Sequence, residues 1–258
     1  MRGRYLGQCA RLAAVVVVAA SSTAVGAVTT SAVVDLDRPL RQVEPSFFGF
    51  NLEWIPFQAS AYSQGSSIHP DLLERLRLFR GAFYRYPGGT ASNFFDWRTA
   101  VGPVRDRAPQ RVPWGAHIRP MFGPDEYLDF VKAVQGRPWY VVNMGVEAGC
   151  RGSKAAEEDC IASTTAAAVG LVEHFQRRES SQPNLPADEV GCRTGAACPI
   201  EFWELGNETD HGSHPLGSAA YIKISKHVMD AIRGVNKQAR LVAHTATAPW
   251  ARLAKGNE

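Results

Sequence analysis

Long apolar runs are scarce in this sequence of 258 residues. The N-terminal run covers only nine residues, Leu12 to Ala20, whereas a membrane-spanning helix needs about twenty. No later segment is long and apolar enough to cross a bilayer, and no repeat, low-complexity tract or interdomain linker interrupts the chain. These absences argue against an integral membrane protein and against a repeat architecture.

Residues 1–27 have the composition of a secretory signal peptide. Three arginines flank the apolar run, small residues follow it, and Val25-Gly26-Ala27 is a suitable cleavage site. A membrane anchor is the competing interpretation, but the run has about half the length that a span requires. We therefore expect a secreted, extracellular mature chain of residues 28–258 that is not attached to a membrane.

A large excess of charge is also lacking. The chain has 28 basic and 25 acidic residues, and removal of the predicted signal peptide takes away three arginines and no acid, which leaves 25 of each. Without a net positive charge, we expect no binding to nucleic acid or to anionic lipid. The substrate is then either neutral or has a charge that a few local residues compensate.

Cysteine is sparse, and its count after signal removal is even. Of the five cysteines, Cys9 lies in the predicted signal peptide, which leaves four. An even count in a secreted chain indicates disulfides, and four cysteines allow three pairings. We expect the local pairs Cys150–Cys160 and Cys192–Cys198, with free buried thiols as the alternative.

A set of metal ligands is missing as well. The cysteine spacings do not fit a zinc ribbon, in which two to four residues separate paired cysteines. His211 and His214 lie close together in a polar loop, but no third ligand accompanies them. We expect these histidines to be loop or pocket residues, and we expect no metal and no cofactor.

Strand and helix patterns alternate along the chain. The short apolar runs predict strands at residues 46–54, 82–86, 138–146, 200–205 and 240–245. The 3.6-residue periodicity predicts helices at 70–79, 123–135, 163–179 and 216–235, and polar segments predict loops at 60–67, 147–161 and 180–197. This alternation indicates a parallel α/β domain of the (β/α)8 TIM-barrel type, truncated after about five βα units.

Polar side chains follow the predicted strands, at the edge where a (β/α) barrel carries its chemistry. Glu53 ends the first strand, Asn143 is the polar residue of the third, and Asn207 and Glu208 follow the fourth. Trp97 lies in a long aromatic loop, and long loops in compact domains are usually functional. The alternatives are a solvated charge for Glu53, a satisfied core amide for Asn143, a plug of the barrel end for Trp97, and a surface turn for the Asn-Glu pair.

Five motifs occur in the order seen in family 51 α-L-arabinofuranosidases, which are retaining glycoside hydrolases built on (β/α)8 barrels. They are Phe48-Gly49-Phe50-Asn51-Leu52-Glu53, Arg85-Tyr86-Pro87-Gly88-Gly89, Asp96-Trp97 with Val101-Gly102-Pro103, Val142-Asn143-Met144-Gly145 and Trp203-Glu204-Leu205-Gly206-Asn207-Glu208. The similarity covers most of residues 44–250, and the second and fifth motifs are specific in combination. The chain resembles the N-terminal part of such an enzyme.

The resemblance implies a role for each matching residue. Glu208 corresponds to the general acid/base, and Asn207 to its sugar-binding neighbour. Glu53 would bind sugar hydroxyls from the end of the first strand, and we expect Trp97 and Asn143 to be further substrate-binding residues. Arg85 would lie under the catalytic carboxylates and support their ionisation.

The sequence departs from the family pattern in two places. Thr90 stands where the arabinofuranosidases have an asparagine, and a Gly-Gly-Thr turn is closer to the heparanase and β-glucuronidase group of the same clan. The family nucleophile is a glutamate on the seventh barrel strand, and only five βα units are predicted. We expect a secreted, incomplete glycoside hydrolase of the arabinofuranosidase type. The alternatives are a β-glucuronidase-like or heparanase-like enzyme and a carbohydrate-binding protein without catalysis.

Overall fold

The computed structural model describes residues 41, 43–63, 67–145, 154–181, 198–210 and 216–244, which exclude the predicted signal peptide. The strands in these residues are β1 (Gly49–Asn51), β2 (Tyr62–Ser63), β3 (Ser67–Ile68), β4 (Phe83–Tyr86), β5 (Gln110–Arg111), β6 (His117–Ile118), β7 (Arg137–Val142), β8 (Phe202–Leu205) and β9 (Leu241–Ala243). The helices are α1 (Trp54–Ala61), α2 (Pro70–Leu76), α3 (Pro124–Ala133), α4 (Lys154–Ser180) and α5 (Ser218–Val235).

Five parallel strands form the main sheet, in the order β1, β4, β7, β8, β9. The order follows the chain, and every connection between neighbours contains at least one α-helix. Parallel strands need such crossovers, and their regular succession is the arrangement of a (β/α) barrel. The predicted α/β class and TIM-barrel type are confirmed. The two short pairs, β2 with β3 and β5 with β6, are antiparallel and lie in the connections.

Aromatic side chains cover the helix-facing side of the sheet. Tyr86 stacks on Tyr127 of α3 with ring centroids 4.9 Å apart, and Tyr140 meets Phe175 of α4 at 5.3 Å. Trp203 of β8 packs against the same phenylalanine at 5.9 Å. Large buried rings contribute much of the apolar area that stabilises a small domain. Because side chains alternate along a strand, the intervening residues point to the opposite face, which corresponds to the inside of a barrel.

The start of α3 follows from its sequence. Pro124 occupies the first turn, where its missing N–H costs nothing, and Asp125 and Glu126 suit the positive end of the helix dipole. The Glu126 carboxylate accepts a hydrogen bond from the backbone N–H of Gly123 at 2.8 Å. These interactions fix the helix directly before β7.

Two regions differ from the sequence predictions. The segment 147–161 was predicted to be a loop, but α4 already begins at Lys154, since alanines and glutamates favour helix there. The segments 46–54 and 60–67 were predicted to be a strand and a loop. The strand is only β1, α1 begins at Trp54 and accommodates Pro56 in its first turn, and β2 and β3 form a hairpin.

No helix in the described part of the chain is both long enough and apolar enough to span a membrane.

Candidate active site at the carboxyl edge of the sheet

Arg85 is the centre of a hydrogen-bonded cluster on the inner face of the sheet. Its Nε donates to Glu204 Oε2 at 2.6 Å and its Nη2 to Glu204 Oε1 at 2.8 Å. Its Nη1 donates to Asn51 Oδ1 at 2.6 Å, and its Nη2 also donates to Asn207 Oδ1 at 2.8 Å. One guanidinium therefore joins the ends of three strands, which the rigid fork of arginine donors suits well.

Glu204 is the carboxylate that neutralises Arg85. Its residue is only 8% exposed, and its Oε2 accepts a second hydrogen bond, from Trp139 Nε1, at 2.8 Å. A buried carboxylate needs a cation and hydrogen-bond donors to offset the loss of water. Glu204 has both, so it is a structural anchor of the cluster.

The Pro-Gly-Gly turn after β4 lies against the end of β1. Gly88 and Gly89 have φ of +41° and +65°, and a Cβ on them would stand 2.1 Å from Asn51 Oδ1 and 2.7 Å from Glu53 Cδ. Positive φ and this close approach both require glycine. The Glu53 Oε1 also accepts the backbone N–H of Ala91 at 3.3 Å. The turn thus holds the Asn51 and Glu53 side chains at the edge.

Asn207 and Glu208 lie where β8 opens into its loop. Asn207 is 8% exposed, and its Nδ2 is buried without a hydrogen-bond partner among the described residues. Its backbone carbonyl accepts Asn93 Nδ2 at 2.9 Å. Glu208 has φ of +43° and an exposed side chain, and positive φ is uncommon outside glycine. The backbone turn presents an exposed carboxyl beside an amide donor that has no partner within the described part of the chain.

The end of β9 adds a histidine to this edge. His244 Nε2 contacts the hydroxyl of Thr209, which immediately follows Glu208. The backbone N–H of His244 donates to the Tyr221 hydroxyl at 3.1 Å. The loop after β8 is therefore tied to the next strand.

Two of the predicted sugar-binding residues lie to one side of the Arg85 cluster. The Trp97 indole N–H donates to the Ala167 carbonyl of α4 at 2.9 Å, and the Trp97 ring packs against Gly170. Asn143 uses both ends of its amide within the chain, donating to Phe95 O at 3.2 Å and accepting from Gly145 N at 2.8 Å. Both residues line a cavity of about 310 Å³ beside α4.

Of the predicted site residues, the structure brings Arg85 and Asn207 into direct contact. Glu208 is next along the chain, and Glu53 lies beside the turn that holds Asn51.

The predicted disulfides fall only partly within the described residues. Cys160 and Cys198 are 8% and 0% exposed. Cys150, Cys192 and the two loop histidines, His211 and His214, lie outside the described residues. The cysteine pairing stays a prediction.

Sequence reasoning missed Glu204, Trp139 and Asn51 as members of the site. Arg85 and Glu204 are 119 positions apart in the chain, so their pairing depends on the sheet register. The available signal was a single acid inside the otherwise apolar strand Phe202–Leu205. Such a residue on the inner face of a sheet needs a partner.

Comparison with known proteins shows the family of the chain. The family model described as the α-L-arabinofuranosidase 1 domain matches residues 75–253. The chain belongs to this family. Two similar proteins are an intracellular exo-α-(1→5)-L-arabinofuranosidase of Streptomyces lividans, 28% identical over 78% of this chain and 30% of that protein, and α-L-arabinofuranosidase C of Emericella nidulans, 33% identical over 67% and 32%.

Solved structures give the same fold. The α-L-arabinofuranosidase of Thermotoga maritima, in complex with arabinose, superimposes with a TM-score of 0.59 at 18% identity, over 80% of this chain and 41% of that one. A family 51 α-L-arabinofuranosidase of Bifidobacterium longum gives 0.57 at 19% identity, over 81% and 40%. The chain spans about a third of the length of the curated relatives cited above. The resemblance to a family 51 glycoside hydrolase, N-terminal part, is confirmed.

Proposed function

We propose that this chain forms the proton-donating and sugar-binding part of an α-L-arabinofuranosidase site. Glu208 is the general acid/base, and Asn207 and Glu53 bind sugar hydroxyls. The observation that carries the proposal is the hydrogen bond from Arg85 to Asn207, which fixes the carboxamide directly before an exposed Glu208. The Nδ2 of Asn207, which has no partner among the residues that the structure describes, is a donor that a sugar hydroxyl can satisfy.

The chemistry assigned to Glu208 is proton transfer to the glycosidic oxygen as the bond to the anomeric carbon breaks. A retaining enzyme pairs this acid with a nucleophilic carboxylate about 5–5.5 Å away. The resemblance assigns that nucleophile to a seventh strand, and the described sheet has five. We therefore assign the covalent step to none of the described residues, and Trp97 and Asn143 to a lining role beside α4.

The proposed substrate is an α-L-arabinofuranoside, because the family model and the similar proteins carry that name. Thr90 after the two glycines keeps a β-glucuronide-type substrate as the second candidate. A further candidate is sugar binding without catalysis, since the Arg85 cluster is complete within the five described strands. No nucleic acid partner is proposed.

The test measures binding of L-arabinose and turnover of arabinosides and glucuronides by the purified chain and by Glu208→Gln. General acid assistance is worth about 10²–10⁴-fold, so any arabinoside turnover should fall by that factor in the variant. The loss should be larger for an alkyl arabinoside than for a nitrophenyl arabinoside, whose leaving group needs little protonation.

Three outcomes decide between the candidates. Equal losses on both leaving groups, or no loss, would contradict the acid/base role of Glu208. Turnover of glucuronides alone would favour the second substrate class. L-Arabinose binding without turnover of either class would favour a carbohydrate-binding protein.

We also propose that the protein is secreted after cleavage near residue 27 and that its disulfides are Cys150–Cys160 and Cys192–Cys198. The support is the N-terminal pattern and the burial of Cys160 and Cys198. A secreted form that starts at Met1, found by N-terminal sequencing, would contradict the cleavage. Mass mapping that links Cys150 to Cys192 or Cys198 would contradict the pairing.

A further inference from the structure

Glu204 and Asn207 share one nitrogen of Arg85. The Nη2 atom donates to Glu204 Oε1 and to Asn207 Oδ1, both at 2.8 Å. An Nη2 group has two hydrogens, so both are used. The direction of the bond to Asn207 is therefore set by where Glu204 holds the guanidinium.

Glu204 is itself held in one orientation. Its Oε2 accepts from Arg85 Nε at 2.6 Å and from Trp139 Nε1 at 2.8 Å. Its side chain is 11% exposed, which leaves little room for another rotamer or for water. The Trp139 and Arg85 donors together define the plane of the carboxylate.

We propose that Glu204 is a positioning residue of the sugar site: through Arg85 it orients the Asn207 carboxamide toward the sugar. This inference rests on the proposed function, because it assumes that Asn207 binds the sugar. It assigns to Glu204 no contact with the sugar and no proton transfer.

A glutamine at position 204 should interrupt the chain of hydrogen bonds from Glu204 through Arg85 to Asn207. Its single oxygen can replace Oε2 and keep the bonds from Arg85 Nε and Trp139. Its NH2 group then faces Arg85 Nη2, where two donors meet and repel. The bond from Nη2 to the side chain of residue 204 is lost directly. The guanidinium must then turn away from the new NH2 group, and the bond from Nη2 to Asn207 breaks with it.

The same strand segment offers a matched control. The Glu201 carboxylate is also bidentate to an arginine, accepting Arg137 Nε at 2.7 Å and Nη2 at 2.6 Å, and its side chain is 19% exposed. It lies at the opposite, amino end of the strands, away from Asn207. Glu201→Gln therefore removes the same charge from another bidentate arginine–glutamate pair and leaves the hydrogen bonds of Glu204, Arg85 and Asn207 unchanged.

The experiment compares L-arabinose affinity of the full chain with that of Glu204→Gln and Glu201→Gln, together with crystal structures and urea unfolding of all three. Glu204→Gln should weaken binding about two- to tenfold, the value of one neutral hydrogen bond between the Asn207 carboxamide and a sugar hydroxyl. Its structure should show the Arg85–Asn207 bond broken. Glu201→Gln should bind as the parent does.

The outcomes separate this inference from the proposed function. Parental affinity in Glu204→Gln, or equal weakening in both variants, would overturn the positioning role and leave the proposed function standing. An intact Arg85–Asn207 bond in the Glu204→Gln structure would overturn it too. Failure of the parent itself to bind L-arabinose would instead overturn the proposed function, and this inference with it.

Discussion

Each end of the parallel sheet has a bidentate arginine–glutamate pair, but the two pairs have different neighbours. At the carboxyl edge, Glu204 pairs with Arg85, and the remaining arginine donors go to the carboxamides of Asn51 and Asn207. At the amino edge, Glu201 pairs with Arg137 and, at 2.9 Å, with Arg240. One arginine thus aligns neutral polar groups, whereas at the other end two arginines share one acid.

The arginines at the amino edge also lie against aromatic rings. The Arg137 guanidinium lies 4.8 Å from the ring centroid of Phe83, and that of Arg240 lies 4.1 Å from Phe202. Cations over aromatic faces are attracted to them and close an apolar layer. The amino edge is therefore a stabilising layer, and the carboxyl edge, with its glycine turn and exposed Glu208, is the edge that we propose as the binding surface. This division is the one expected of a (β/α) barrel.

Removal of the arginine at each edge should give the largest difference in the free energy of unfolding between the two edges. Arg85→Ala leaves the buried Glu204 without its cation and should lower the free energy of unfolding by about 3–5 kcal/mol. Arg137→Ala leaves Glu201 with Arg240 and should cost about 1–2 kcal/mol. Urea unfolding measures both losses in the free energy of unfolding, provided that the m values of the variants equal that of the parent. Equal losses would contradict the unequal support of the two acids.

The glycine turn sharpens the comparison at the carboxyl edge. Gly88→Ala adds a Cβ at 2.1 Å from Asn51 Oδ1 at a φ of +41°, and should cost about 2–5 kcal/mol from strain and displacement. Gly102→Ala is the control: φ is +78° but nothing lies within 4 Å, so only the backbone cost of about 1–2 kcal/mol remains. Thermal unfolding that ranks Gly102→Ala as the worse variant would contradict the close packing of the turn.

The smallest expected effect on stability concerns Asp125, a carboxylate of α3 that lies at neither edge of the sheet. Burial raises the pKa of Asp125, but the hydrogen bond from His174 and the charge of Arg178 outweigh it, so the pKa lies below its usual value. The contribution of Asp125 to stability is then present above the ordinary carboxyl pKa near 4 and is lost as the pH falls through the lower folded value.

The corresponding variant is Asp125→Asn. It should cost about 1 kcal/mol at pH 7. The difference from the parent should shrink as the pH falls below about 4 and through the lower folded pKa, since protonation of the parent then removes the same charge. The exposed Asp129, which also pairs with Arg178, supplies the control variant Asp129→Asn. A stability difference that grows in acid would reverse the sign of the proposed linkage.

The sequence predicted the sheet better than the site. Among the described residues, apolar runs and helical spacing located all five parallel strands and four of the five α-helices, because those patterns report burial directly. The helix α1 was missed because its residues Trp54 to Ala61 continue an apolar run and contain Pro56. The early start of α4 was missed because charges near the cysteines suggested a loop.

Three residues of the site were predicted from their sequence motifs. Arg85, Asn207 and Glu208 were identified from motifs, and the structure joins the first two by a hydrogen bond. Glu204 and Trp139 lie within strands, and their partnership with Arg85 depends on strand register over long sequence separations. Trp97 was predicted to bind substrate, and that role stays a prediction. Its indole N–H is bonded to Ala167 of α4, a contact that composition alone does not reveal.

The most direct test of the central claim is a crystal structure of the chain with L-arabinose. We predict the sugar at the carboxyl edge, with a hydroxyl accepting from Asn207 Nδ2 and the Glu208 carboxyl within hydrogen-bond distance of the anomeric oxygen. Glu201, Arg137 and Arg240 should be unchanged. Sugar bound only in the cavity beside α4, or at the amino edge, would contradict the assignment of the carboxyl edge as the active site.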